Sequence, residues 1–289
     1  MMCGRCAWRE VSRRGFGRAM AGAAACVSIA AAGHALAGYA PGDYTRPGYA
    51  PRGYVPGGYA RAGYAIERDG PIEPHIRLAE VSADQRVIAL TFDCCPGAFD
   101  ARIATVLVAE RIPATIFVTW LWMRRNPEGL ALLLAHPDLF AIENHGALHI
   151  PPVLGDRTIF GIRVAGDLPS IRREVEDGAL AIRTATGSAP HWYRAATGFY
   201  TPSVIPEIQA MGFAIGGYSL SADQGASLPA ARVASRMANA LSGDVIVAHL
   251  NQPLRPSGLG VVDGLRALQR QGTTFVRLDQ VATTAPSYA

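Results

Sequence analysis

From about residue 70 onward, unbroken apolar runs alternate with stretches in which apolar residues recur every three or four positions. The runs are Val87–Phe92, Ala114–Thr119, Phe140–Glu143, Trp192–Arg194, Phe213–Tyr218, Val245–Ala248 and Thr274–Leu278. Short apolar runs bounded by turn residues predict strands buried on both faces, the pattern of a parallel sheet. Between them Ile103, Val106, Leu107 and Arg111 mark one helical face, and residues 168–186, 229–241 and 260–271 carry the same period. Asn126-Pro127-Glu128 and Thr201-Pro202 read as helix N-caps followed by proline in the first turn. Strands joined by helical crossovers require a parallel sheet, closed as a barrel or doubly wound. The expectation is an α/β fold, a distorted (β/α) barrel of about seven parallel strands.

Polar groups recur at one end of these strands. Thr91-Phe92-Asp93-Cys94-Cys95-Pro96-Gly97 ends the first run, His145 and His149 follow the third, Arg194 the fourth, Asp223 the fifth and His249 the sixth. A lone carboxylate at a strand end is often only a helix cap. Groups after five of seven strands favour a barrel with one central mouth over an open sheet with a single switch point. His145-Gly146-Ala147-Leu148-His149 places two imidazoles four residues apart, a spacing that on a helical turn lets both reach one cation. His34 falls in the leader, and His75, His136 and His191 are expected to pack or cap.

The N-terminal quarter has a different character. Five Arg precede the small apolar run Ala19–Ala32, and Ala35-Leu36-Ala37 offers a cleavage site, so residues 1–37 read as an export leader. Ser12-Arg13-Arg14-Gly15-Phe16 resembles a twin-arginine signal, which implies a periplasmic or secreted protein with no membrane anchor after processing. Tyr39, Tyr44, Tyr49, Tyr54, Tyr59 and Tyr64 then repeat every five residues among Gly, Pro, Ala and Arg. That period fits neither helix nor strand, so 38–69 is expected as an extended, disordered tether, either a spacer or a row of sugar-stacking rings. The folded domain is placed at 70–282 and a tail at 283–289.

Charge excludes nucleic acid as a partner. The formal net charge is +4, but residues 1–65 hold 8 of the 27 basic and 2 of the 23 acidic residues, leaving 19 against 21 in the body. All 27 basic residues are Arg, so no Schiff-base lysine exists. Only Cys94 and Cys95 remain after the leader. Export favours pairing them, but adjacent Cα atoms lie ~3.8 Å apart, short of the usual ~4.4 Å minimum for a disulfide.

These motifs resemble the NodB-homology polysaccharide deacetylases, the carbohydrate esterase family 4 type, whose five motifs find matching positions between residues 91 and 253. The family's T-F-D-D-G corresponds to Thr91-Phe92-Asp93-Cys94-Cys95. By resemblance Asp93 is the general base, His145 and His149 are metal ligands, Arg194 orients the base, and Asp223 lies beside His249, the general acid. The implied cofactor is a divalent metal ion, zinc foremost. The implied partner is an acetylated polysaccharide, with N-acetyl on a GlcNAc-containing chain as the leading substrate. The resemblance departs at Cys94, which stands where the family has a metal-binding Asp; here a thiolate ligates, water fills the gap, or metal binding fails. Gln224 replaces a usual Trp, and Gly155–Gly166 reads as an extra loop walling the cleft.

Alternatives are O-acetyl ester hydrolysis by the same apparatus, a catalytically silent carbohydrate-binding protein with a degraded metal site, and a cysteine nucleophile, Cys94 or Cys95, working with His249. Against the last, a carboxylate beside a thiol raises its pKa.

Overall fold

The computed structural model describes residues 70–81 and 84–288. The expected leader, the Tyr repeat within 38–69 and Ala289 lie outside the described residues. In chain order come β1 (Pro74–His75), β2 (Val87–Cys94), α1 (Ala101–Ala109), β3 (Ala114–Val118), α2 (Trp120–Arg125), α3 (Pro127–Leu134) and β4 (Phe140–Asn144). A hairpin of β5 (Thr158–Ile159) and β6 (Ile162–Arg163) precedes the long α4 (Leu168–Thr186). Then follow β7 (Trp192–Tyr193), α5 (Val204–Ala210), β8 (Ala214–Ile215), β9 (Leu220–Ser221), α6 (Ala230–Ala238), β10 (Val245–His249), α7 (Ser257–Arg270), β11 (Thr274–Val276) and β12 (Ser287–Tyr288).

Eight of these strands form one parallel sheet in the order β8-β7-β4-β3-β2-β10-β9, with β11 beside residues Val87–Ala89 of β2. The sheet curls, because its two edge strands β8 and β9 are consecutive in the chain and joined by residues 216–219. The expected single run Phe213–Tyr218 is therefore two strands. Gly216 and Gly217 make the break: a Cβ on Gly216 would lie 2.7 Å from the Phe117 ring, and one on Gly217 2.4 Å from the Pro74 carbonyl oxygen. Outside the sheet, β12 pairs antiparallel with β1, bringing the described C-terminal residues onto the start of the body.

β2 is buried along almost its whole length, and its two faces have different partners. Ile88, Leu90, Phe92 and Cys94 pack with Ile103, Leu107, Val233, Val261 and Leu265 of the covering helices. Ala89 packs inside the curl with Ile76, Phe117, Val245 and Leu278. Each fully buried Leu or Ile contributes about 1.5–3 kcal/mol, so the helix-facing side anchors the strand. The inward face is left to carry Thr91 and Asp93.

Of two sequence expectations at helix starts, one holds in position and one is corrected. Asn126 is the N-cap residue of α3, with Pro127 in the first turn as expected, but its side chain makes no capping bond; it accepts from the Phe99 N–H (2.9 Å) and donates to the Gly97 carbonyl (2.9 Å), stapling the loop that follows Asp93. Thr201 does not cap α5, which begins after Ser203; its hydroxyl accepts from the Leu154 N–H (2.9 Å). The short helix α2, which no sequence signal marked, is capped by Thr119, whose hydroxyl accepts from Trp122 N–H (3.0 Å). Among the described residues no helix is long and apolar enough to cross a membrane.

Candidate active site

Strand parity decides what β2 offers. Alternate residues face opposite sides, so Thr91, Asp93 and then Cys95 face the interior while Phe92 and Cys94 face the helices. Cys94 is fully buried in the apolar cluster beneath α1. Of the three outcomes left open for Cys94, its burial among apolar side chains disfavours a ligating thiolate. The thiol that meets the histidines is Cys95, with Sγ 3.5 Å from His145 Nε2. The two cysteines are free.

Asp93 is held by Arg194. The guanidinium donates from Nη1 to Asp93 Oδ1 and to the Thr91 hydroxyl (both 2.8 Å), from Nε to the Gly216 carbonyl (2.6 Å) and from Nη2 to the Gly217 carbonyl (3.0 Å). It lies 4.1 Å from the Phe117 ring centroid and 5.6 Å from that of Tyr218. Burial alone would raise the Asp93 pKa, but Arg194, with His145 and His249 behind it, outweighs burial and keeps the carboxyl below the usual range. Oδ2 is turned toward His145 Nε2, 3.9 Å away.

The histidine pair is not on a helical turn, as the spacing suggested. Residues 145–149 form a loop in which Gly146 (φ 87°) and His149 (φ 67°) are left-handed, and the two imidazole centroids are 5.0 Å apart. His145 Nδ1 lies 2.9 Å from the Arg194 carbonyl, which fixes that nitrogen as the donor and leaves Nε2 with a lone pair facing Cys95. His149 Nε2 is buried without a hydrogen-bond partner. One ligand atom from each of Cys95, His145 and His149 lies within 4.8 Å of the other two. An orphaned imidazole nitrogen, an oriented imidazole and a thiol together fit a borderline-soft divalent metal that keeps an open position.

His249 ends β10 opposite Asp93 in register. Its Nδ1 is 2.9 Å from Asp223 Oδ1, and its backbone N–H donates to Asp223 Oδ2 (2.8 Å). Burial disfavours the charged imidazole, yet the Asp223 carboxylate, helped by the Cys95 thiolate, pushes its pKa well above the ordinary value. Burial would also raise the Cys95 thiol, but His149 and His145 pull it well below the usual cysteine range. Cys94 is driven the other way by burial, with Cys95 and Asp93 adding to the effect. The objection that a neighbouring carboxylate raises the thiol thus applies to Cys94 and not to Cys95.

The six residues singled out from sequence, Asp93, His145, His149, Arg194, Asp223 and His249, are brought together at the C-terminal ends of β2, β4, β7, β9 and β10. Sequence reasoning weighed Cys95 only as a nucleophile and missed its place beside the two histidines, Thr91 as a partner of Arg194, and Glu174 of α4, whose carboxylate accepts the backbone N–H groups of Leu148 and Ile150. Strand parity was the signal available for the first two. The stretch Gly155–Gly166 is the β5–β6 hairpin, turning at Phe160 and Gly161, both left-handed, with the 80% exposed Phe160 ring edge-on to Phe199 at 6.0 Å.

A family model described as polysaccharide deacetylase matches residues 80–216. Among solved structures, the chain is similar to the peptidoglycan deacetylase PdaC from Bacillus subtilis, with TM-score 0.57 and 22% identity over 69% of this chain and 91% of that one. It is also similar to PdaA of Bacillus subtilis, a family 4 carbohydrate esterase (TM-score 0.54, 20% identity, 69% of this chain and 82% of that one). A further similar structure is a CE4 family pseudoenzyme from Bacillus Anthracis (TM-score 0.54, 16% identity, 69% of this chain and 66% of that one). No curated protein matches the chain. The matched family consists of hydrolases acting on carbon–nitrogen bonds other than peptide bonds. Residues 80–216 thus match the polysaccharide deacetylase model, and the curled parallel sheet is the fold of the solved carbohydrate esterase family 4 structures.

Proposed function

We propose that this protein is an exported, metal-dependent deacetylase that removes N-acetyl groups from a GlcNAc-containing polysaccharide. The observation that carries the reading is the pairing of two buried dyads across one mouth, Arg194 with Asp93 and Asp223 with His249, around a Cys95, His145 and His149 donor set. Those three residues would hold the metal, zinc foremost; bound there, it supplies Lewis acidity toward the acetyl carbonyl. Asp93, ionised and held at Oδ1 by Arg194, offers Oδ2 to take a proton from the attacking water. As the C–O bond forms and the C–N bond breaks, the amine must leave protonated. His249, its Nδ1 engaged by Asp223, presents Nε2 as the donor of that proton. The products are acetate and a free amino sugar. O-acetyl ester hydrolysis needs the same groups, and an alcohol leaves more easily than an amine. The twin-arginine-like sequence Ser12-Arg13-Arg14-Gly15-Phe16 supports export to the periplasm or outside the cell.

A second reading makes Cys95 the nucleophile, favoured by its lowered pKa and the imidazoles around it. One experiment separates the two: acetate release from N- and O-acetylated oligosaccharides, measured with chelator, with zinc restored, and after thiol alkylation of the metal-free protein. Activity abolished by chelator and restored by zinc supports the metal-dependent reading. Activity that survives chelation but not alkylation moves the assignment to a thiol nucleophile. No acetate under any condition points to a catalytically silent carbohydrate-binding protein; one solved structure of this fold is described as a pseudoenzyme.

A further inference from the structure

The loop that carries both histidines has almost no regular structure of its own, and it is held in place from both sides. From α2, Trp120 and Leu121 donate their backbone N–H groups to the carbonyls of Gly146 (3.2 Å) and Ala147 (3.0 Å). From α4 comes a side chain. Glu174 is 4% exposed, and its carboxylate accepts the Leu148 N–H on both oxygens (2.9 and 3.1 Å) and the Ile150 N–H on Oε1 (3.1 Å). The Glu174 carbonyl takes a further N–H, that of Ala147, at 3.0 Å.

These contacts explain an otherwise costly conformation. His149 is left-handed, which a non-glycine residue adopts rarely and at a cost of about 1–2 kcal/mol. Backbone N–H groups flanking a left-handed residue converge into an anion-binding concavity. The Glu174 carboxyl group occupies that concavity, so the acceptor that stabilises the unusual backbone is built into the chain. Gly146 makes room for it: a Cβ there would lie 2.3 Å from Glu174 Oε1. Asn144 closes the other end, accepting the Gly146 N–H (2.9 Å) and donating to the Val175 carbonyl of α4 (2.9 Å).

We infer that Glu174 is a positioning residue for the metal site, fixing the backbone on either side of His149 so that its Nε2 is aimed at the position Cys95 and His145 share. It touches neither metal nor substrate and acts through the loop. The inference rests on the metal-dependent reading above.

The structure supplies its own control. Glu143 is an equally buried carboxylate that accepts two backbone N–H groups, those of His191 and Trp192 (both 2.8 Å), and touches neither histidine ligand. Glu174→Gln and Glu143→Gln are prepared in the full chain. Zinc affinity is read by competition with a chromophoric chelator, and ligand geometry by the visible spectrum of the cobalt(II)-loaded protein. Removing a group that orients a metal ligand typically weakens metal binding by about 10–100-fold. The expected result is a loss of at least about tenfold and an altered cobalt spectrum for Glu174→Gln only. If Glu174→Gln does not accumulate folded, Glu174→Asp, which withdraws the carboxylate by one methylene, takes its place with the same expectation. Equal zinc affinity and an unchanged spectrum in the Glu174 variant, beside a parent that binds zinc, would overturn this assignment alone. A parent that binds no zinc would overturn the metal-dependent reading as well.

Discussion

The two adjacent cysteines invite a direct test. Alignment with the family's T-F-D-D-G motif makes Cys94→Asp the restoring substitution; strand parity makes it a damaging one. The Cys94 side chain is fully buried against Ile103 and Leu107, and its charged neighbours would be the Cys95 thiolate and Asp93, both anionic. A carboxyl placed there must stay protonated. Holding an Asp of ordinary pKa neutral at pH 7 costs about 4 kcal/mol, some three units at 1.36 kcal/mol each. Leaving its oxygens without partners adds about 1–3 kcal/mol. A total near 5–7 kcal/mol is a large part of the ~5–15 kcal/mol that holds a domain folded. For a body of this size it corresponds to a drop in Tm of roughly 10–28 °C. Cys95→Asp, by contrast, presents a carboxylate to His145 and His149 and should leave both Tm and zinc binding largely intact. Differential scanning fluorimetry of each variant, with and without zinc, reads both effects. The parity argument fails if Cys94→Asp melts with the parent and binds zinc more tightly while Cys95→Asp loses it.

Three further outcomes are expected. His249→Ala should abolish acetate release while zinc content, read by elemental analysis, stays at the parental value; loss of zinc would make His249 a ligand instead of the acid. Burial, only partly offset by the Trp192 and His191 N–H groups, raises Glu143 to about 7, against 4.5 unfolded. The folded protein therefore binds more protons than the unfolded chain between those values, and stability falls as pH rises from 4.5 to 7, by up to ~3 kcal/mol from this residue. Glu174, also at about 7, adds a similar slope, so Glu143→Gln should remove about half of the decline in metal-free Tm between pH 5 and 7.5; an unchanged slope would count against the assignment. Phe160→Ala should leave Tm unchanged, since the ring is exposed, but raise KM for a polymeric substrate by roughly fivefold, as losing about 1 kcal/mol of stacking would. A KM equal to the parent's would place the sugar chain elsewhere.

The sheet was legible because buried parallel strands write themselves as apolar runs, and Val87–Phe92, Ala114–Thr119 and Val245–Ala248 nearly coincide with β2, β3 and β10. The grouping of Asp93, His145, Arg194, Asp223 and His249 was legible for a related reason, since each closes or follows a strand of known direction. What escaped was set by contacts distant in sequence. Gly216 and Gly217 split one apolar run into two edge strands because Phe117 and Pro74 approach them. Glu174 sits in Arg172-Arg173-Glu174-Val175-Glu176-Asp177, which reads as a solvated helix face; only the docking of α4 turns that one carboxylate inward. Cys95 was hidden by trusting motif alignment over the two-residue period of the strand that carries it.

The order of the sheet also bears on how the protein is made. β2 is the first of the eight strands to be synthesised, yet its neighbours β10 and β11 are the last two, and β10 pairs with the very residues, Ala89 to Asp93, that end in the carboxylate held by Arg194. No ribosome-bound fragment ending before residue 245 can complete the barrel or set Asp93 opposite His249. Such long-range parallel pairing folds slowly, and a chain waiting for it exposes apolar strand edges. The export route proposed above, in which a twin-arginine leader would hand over a folded molecule, suits this topology better than one that threads the chain unfolded. Shortening the C-terminus into β11 should accordingly cost expression before it costs activity.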